Sequence, residues 1–199
     1  MTSCKTMCAV AVGCALALSL GFVIVSEVRA GDGDDIPAAG SVDEDVLAQA
    51  SRFAGEYTFV GGQKERDGVD AAIEAAMDAV SPVLRNIGRK RLQETTQIPK
   101  HVSIAVDGTH TEIRFDGQGQ SASLDGPPLR AVSREGEKVK VSHRVRGGKL
   151  TEFVDGAQGD RHNTFKLSKD GKRLTVDVKI SSGHLPVPVE YRMTYKRKQ

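Results

Sequence analysis

Five histidines are the side chains of this 199-residue sequence best suited to acid–base or metal chemistry, and their spacing argues against most of it. His101, His110, His143, His162 and His184 never stand two or four residues apart. Those are the separations that bring two ligands to one face of a strand or helix, so no local metal motif is present and no cofactor is expected. The three cysteines, Cys4, Cys8 and Cys14, all fall in the first thirty residues. Removal of that segment leaves a chain without disulfides, thiolate nucleophiles or cysteine-ligated zinc. Nucleophile-elbow, P-loop, zincin and dinucleotide-binding motifs are absent, and the Gly-rich stretch 116–119 joins two strands. What remains is His143, with Glu152 or Tyr191 as the partner of an acid–base pair. Nothing local activates a nucleophile, so the expectation is a protein that is not an enzyme.

The elements that would carry these residues are strands. Runs at 137–146, 150–155, 161–168, 173–181 and 187–195 are separated by Gly147-Gly148, Asp155-Gly156, Asp170-Gly171 and Ser182-Gly183, dipeptides that close tight turns. Val139, Val141, His143 and Val145 alternate with Lys138, Lys140, Ser142 and Arg144, so one face is buried and the other is wet. Further runs at 55–60, 101–106, 113–115, 121–124 and 129–133 bring the count to eight to ten. The predicted class is mainly β, α+β by count: an antiparallel up-and-down β-barrel, since closure removes both edges. At that size the interior is filled by side chains or holds one small ligand.

Two helical pieces interrupt the pattern. Ser41 with Glu44 has capping-box spacing ahead of Val46, Leu47, Ala50 and Phe53, giving a short helix that ends at Gly55. In 67–94 the residues Val69, Ile73, Ala76, Val80, Leu84 and Ile87 recur three or four apart, and Pro82 with Ser81 before it divides the run into two helices. Their apolar stripe must bury against the barrel wall or across its open end. The first thirty residues read as a signal peptide, with Val28 and Ala30 at the cleavage positions, or as an uncleaved anchor; either exports the rest to the periplasm or beyond. Residues 31–40 are an acidic linker, leaving 41–199 as one domain with a helical insertion at 67–94.

A short helix, then Gly55 and Tyr57 opening the first strand, then a meander of hairpins, resembles the lipocalin-like proteins of the calycin type. The resemblance implies a barrel around a small ligand, with Tyr57 where those proteins place a tryptophan. It also implies a basic residue near the end of the last strand lying across that ring, with Arg192 first by position and Lys196 second. The helical insertion departs from the usual lipocalin order.

Residues 136–199 hold fifteen Lys or Arg against seven Asp or Glu. Alternation with apolar residues explains this as the solvent face of the strands; attraction to an anionic envelope surface is the second reading, and nucleic acid is not expected. By parity and ring content the ligand-contacting set is Tyr57, Phe59, His143, Phe153, Arg161, Asn163, Phe165, Tyr191 and Tyr195. The first reading of His143 is a histidine satisfied by a neighbouring strand, and a polar contact in a cavity is the functional alternative. The functional expectation is therefore a monomeric exported barrel that binds a small apolar or amphipathic molecule. An envelope scaffold using the basic outer face is the alternative.

Overall fold

The computed structural model describes residues 42–133 and 136–199; the expected signal segment, the expected linker and Ser41 lie outside them. In chain order the elements are α1 (Glu44–Ser51), β1 (Gly55–Phe59), α2 (Gly62–Asp78), α3 (Pro82–Thr95), β2 (His101–Asp107), β3 (His110–Phe115) and β4 (Gln118–Ser123). Then follow β5 (Leu129–Val132), β6 (Lys138–Arg146), β7 (Lys149–Gly156), β8 (Gly159–Leu167), β9 (Arg173–Ser181) and β10 (Val189–Arg197). The ten strands form one antiparallel sheet in the order β4-β3-β2-β1-β10-β9-β8-β7-β6-β5. Every sheet neighbour except the β1–β10 pair is also a chain neighbour, which is the up-and-down order of the lipocalin-like barrel.

The two edge strands nearly meet. A single bridge joins Leu124 to His143 on β6, the Asp125 N–H donates to the His143 carbonyl at 2.9 Å, and Gln120 Nε2 on β4 donates to the Val132 carbonyl on β5 at 2.6 Å. The barrel is therefore closed around most of its circumference and keeps a seam between β4 and β5. Gly119 at that seam has no room for a side chain, since an added Cβ would stand 1.9 Å from the Ile113 carbonyl oxygen.

Alternation places Val139, Val141, His143 and Val145 inside and Lys138, Lys140 and Arg144 outside, as the sequence pattern dictates. The turn expected at Asp155-Gly156 moves two residues on. Gly156 pairs with Gly159, so Ala157-Gln158 make the bend. The expected capping box is also displaced: Asp43 caps α1, its carboxylate accepting from the Asp45 N–H at 3.0 Å.

The insertion breaks at Pro82 as its residues require, but α2 starts at Gly62 rather than 67. Gln63, Lys64, Glu65 and Arg66 carry no apolar period, and their helical turn is held by tertiary contacts instead. Glu65 accepts from the Thr194 N–H and hydroxyl on β10, both at 2.6 Å. Just past β1 the Val60 N–H still donates to the Thr194 carbonyl at 2.9 Å, and the Glu65 carboxylate takes the Thr194 N–H. Glu65→Ala is expected to lower stability by about 1 to 3 kcal/mol, measured by urea denaturation, because it strands a half-buried donor.

One barrel end is closed by α1, whose Ala50 and neighbouring Phe53 are buried, and Gln49 accepts from the Gly148 N–H of the β6–β7 turn. Below it the aromatic–cation contact takes a different partner from the expected one. Arg197, not Arg192 or Lys196, lies over Tyr57 at 5.2 Å and donates to its hydroxyl at 2.6 Å. Tyr57 and Arg197 are register partners across β1 and β10. Arg192 points outward and pairs with Asp177. The pair expected from the resemblance therefore forms, one strand position beyond Lys196.

Candidate functional site

The interior is packed at the α1 end and hollow at the other. Tyr57, Val145, Leu150, Phe165, Leu174, Met193 and Tyr195 are buried and fill the lower half. Phe115 and Phe165 stack at 6.3 Å above them. Burial pushes the Tyr57 and Tyr195 phenols above their ordinary range, with Arg197 pulling Tyr57 back in part. Both therefore remain hydrogen-bond donors, to the Phe53 carbonyl at 2.7 Å and the Pro99 carbonyl at 3.2 Å.

Two clefts occupy the other half. The first, about 580 Å³, runs beneath α3 and is lined by Met77, Leu84, Ile87 and Leu92 from the helices and Val154, Arg161 and Ile180 from the strands. The second, about 620 Å³, opens at the β4–β5 seam and includes Phe115, Gly119, Glu152, Arg161 and Asn163. Both have Glu94, Thr95, Ser133, Val154 and Arg161 in their walls. Each is of the size that holds one small molecule.

The apolar stripe of the insertion explains the first cleft. Val69, Ile73, Ala76 and Met77 of α2 are buried against the barrel, whereas on α3 only Leu92 is buried. Val83, Leu84 and Ile87 are 86%, 55% and 69% exposed. The bend at Pro82 turns α3 away, so its apolar side lines a gap at the barrel end instead of closing it. Two basic residues of α3 serve the helix pair, Arg85 donating to the Val80 and Asp78 carbonyls at the end of α2 and Arg89 clasping Glu74 at 2.6 and 2.7 Å, while Arg91 reaches Gln158 and Glu137 of the barrel.

A polar row crosses the barrel at the floor of these clefts. His143, Glu152 and Asn163 are register neighbours on β6, β7 and β8. Arg161 Nε donates to Asn163 Oδ1 at 3.1 Å, and Asn163 Nδ2 donates to Glu152 Oε2 at 2.6 Å. Glu152 Oε1 stands 3.5 Å from His143 Nε2, and His143 Nδ1 is 2.9 Å from the Thr111 carbonyl. That carbonyl can only accept, so Nδ1 carries the proton. At the other end Arg161 also donates to the Thr95 carbonyl at 3.2 Å and the Tyr191 hydroxyl at 3.3 Å. Among the described residues no carboxylate pairs with Arg161: its three hydrogen-bond partners are neutral oxygens. Glu152 pairs with Asn163 and faces His143.

The residues expected to touch ligand therefore separate into groups. Arg161 borders both clefts, Asn163 borders the second, and Tyr191 joins them through Arg161. His143 is fully buried behind Glu152. Tyr57, Phe59, Phe165 and Tyr195 belong to the packed core or its edge, Phe59 meeting Tyr195 edge-on at 5.7 Å. Phe153 lies outside: Glu152 and Val154 take the inward parity of β7, leaving Phe153 39% exposed against His162. Glu152 was the inward residue that the sequence reading left out of the site, and the signal for it was present, since Leu150, Glu152 and Val154 alternate from an apolar anchor. Among the described residues no three His, Cys, Asp or Glu side chains gather as metal ligands, and no helix is long and apolar enough to cross a membrane.

No protein-family model matches the chain, and no characterised protein matches it in sequence. Among solved structures it is similar to a fatty acid binding protein of Schistosoma mansoni in complex with arachidonic acid, with 17% identity and a TM-score of 0.46 over 76% of this chain and 99% of the other. A secretary abundant heat soluble protein from Ramazzottius varieornatus shows 16% identity and a TM-score of 0.49 over 74% and 96%. A REP1-NXSQ fatty acid transporter shows 15% identity and a TM-score of 0.46 over 75% and 98%.

Proposed function

We propose that this barrel is a non-enzymatic binding protein for one anionic amphipath, its head group on Arg161 and Tyr191 and its apolar chain in the cleft beneath α3. The observation that carries this reading is Arg161 itself. A half-buried guanidinium held by three neutral oxygens has lost hydration without gaining a counter-charge among the described residues. Those three bonds use three of its five N–H groups, and among the described residues two are left for a carboxylate or similar oxyanion. The apolar walls supplied by Leu92, Ile180 and the exposed side of α3 suit a hydrocarbon tail. His143 supports the non-enzymatic part: fully buried, with Nδ1 committed to a backbone carbonyl, it has no access to a bound carbonyl or phosphoryl group.

In the same reading residues 1–30 serve as an export signal, and the chain acts outside the cytoplasm as a monomeric carrier. Calorimetric titration with dodecanoate is expected to show one site per chain at micromolar affinity or tighter, an affinity in the ordinary range for a small ligand of this size. Failure of dodecanoate to bind at millimolar concentration would refute the reading.

A further inference from the structure

Glu152 is the one buried charged group at the cleft floor that capture of an anionic head does not use. It is 3% exposed yet lines the second cleft beside Arg161 and Asn163. The Asn163 amide alone separates the two charges, accepting from Arg161 on one side and donating to Glu152 on the other. Oε2 of the carboxylate is satisfied by that bond. Among the described residues Oε1 has only His143 Nε2, 3.5 Å away, and that nitrogen is buried without a hydrogen-bond partner. Buried polar atoms left in this condition point to a missing partner. A plain hydrocarbon laid against the carboxylate would leave Oε1 uncompensated.

We propose that the preferred cargo is a 2- or 3-hydroxy acid with an apolar tail, whose hydroxyl donates to Glu152 Oε1 while its carboxylate sits on Arg161. This rests on the head-group reading above and adds a substrate class to it. A hydroxyl suits the position because it both donates and accepts and can rotate to whichever proton arrangement Glu152 and His143 hold. The separation suits it too, since one amide between cation and carboxylate calls for polar groups one or two carbons apart. A group fixed by a charged acceptor in a dry site discriminates strongly against the analogue that lacks it.

Calorimetric titration with dodecanoate and with each enantiomer of 3-hydroxydodecanoate, on the wild type and on Glu152→Gln, tests this. One enantiomer is expected to bind the wild type about tenfold tighter than dodecanoate, the effect of one hydrogen bond to a charged group. In Glu152→Gln that preference, taken as the ratio of the two affinities in the same variant, is expected to fall to about threefold or less. Equal affinities of dodecanoate and both enantiomers for the wild type would overturn the hydroxyl site and leave the head-group reading standing, and would do so whether or not the variant folds. A preference that survives undiminished in Glu152→Gln would overturn the role of Glu152. Absence of binding by all three would remove both proposals.

Discussion

Arg161→Met is expected to weaken dodecanoate binding by roughly tenfold to a hundredfold while dodecan-1-ol stays within about threefold of its wild-type affinity, read by calorimetry. The asymmetry follows from the role of the guanidinium. Met keeps most of the apolar volume at the junction of the clefts and removes only the charge and its donors. An alcohol of the same length has no charge to lose. Stability of the unliganded protein is expected to fall by about 1 to 3 kcal/mol, because Met leaves the buried Asn163 Oδ1 without its donor, and that loss is shared by the acid and alcohol titrations. Equal weakening of acid and alcohol would instead make Arg161 a packing residue.

The second large effect is on folding. Asn163→Leu is expected to destabilise the protein by about 3 to 5 kcal/mol, because it removes one partner from each of two charged neighbours in a dry setting. Arg161 Nε loses its acceptor and Glu152 Oε2 loses its 2.6 Å donor together. With a urea slope of about 2 kcal/mol per molar for a domain of this size, the midpoint should fall by about 2 M. Lys140→Gln on the exposed face of the same sheet should move stability by less than about 0.5 kcal/mol. A small loss for Asn163→Leu would mean that water already satisfies the row and that the site is wetter than the hydrogen bonds imply.

Much of this architecture is written in local pattern. Period-two alternation in the later strands identified the inner face, and with it the inward placement of His143, Arg161, Asn163 and Tyr191. Pro82 announced the break in the helical insertion because its ring cannot sit within a continuous helix. What pattern did not supply was set by contacts between distant segments. The start of α2 depends on Glu65 reaching Thr194, which no helical period foretells. The cation over Tyr57 is Arg197 because the β1–β10 register, unreadable from one strand, puts those two residues opposite each other. Phe153 was taken as a ligand contact for its ring, although Leu150 already assigned the inward parity to Glu152 and Val154. The cleft beneath α3 was the least legible feature. Leu84 and Ile87 repeat like core residues, and only the bend after α2 leaves them lining a gap rather than filling one.

The central claim is that the hollow half of the barrel holds the tail of an amphipath whose head rests on Arg161. An isotope-filtered nuclear Overhauser experiment on protein saturated with 13C-labelled dodecanoate tests it directly. Contacts are expected from the tail methylenes to Leu92 and Ile180 and from the carbons next to the carboxylate to Tyr191, with none to Phe153. Tail contacts confined to Phe153 and the outer face, or a ligand that stays free, would contradict it.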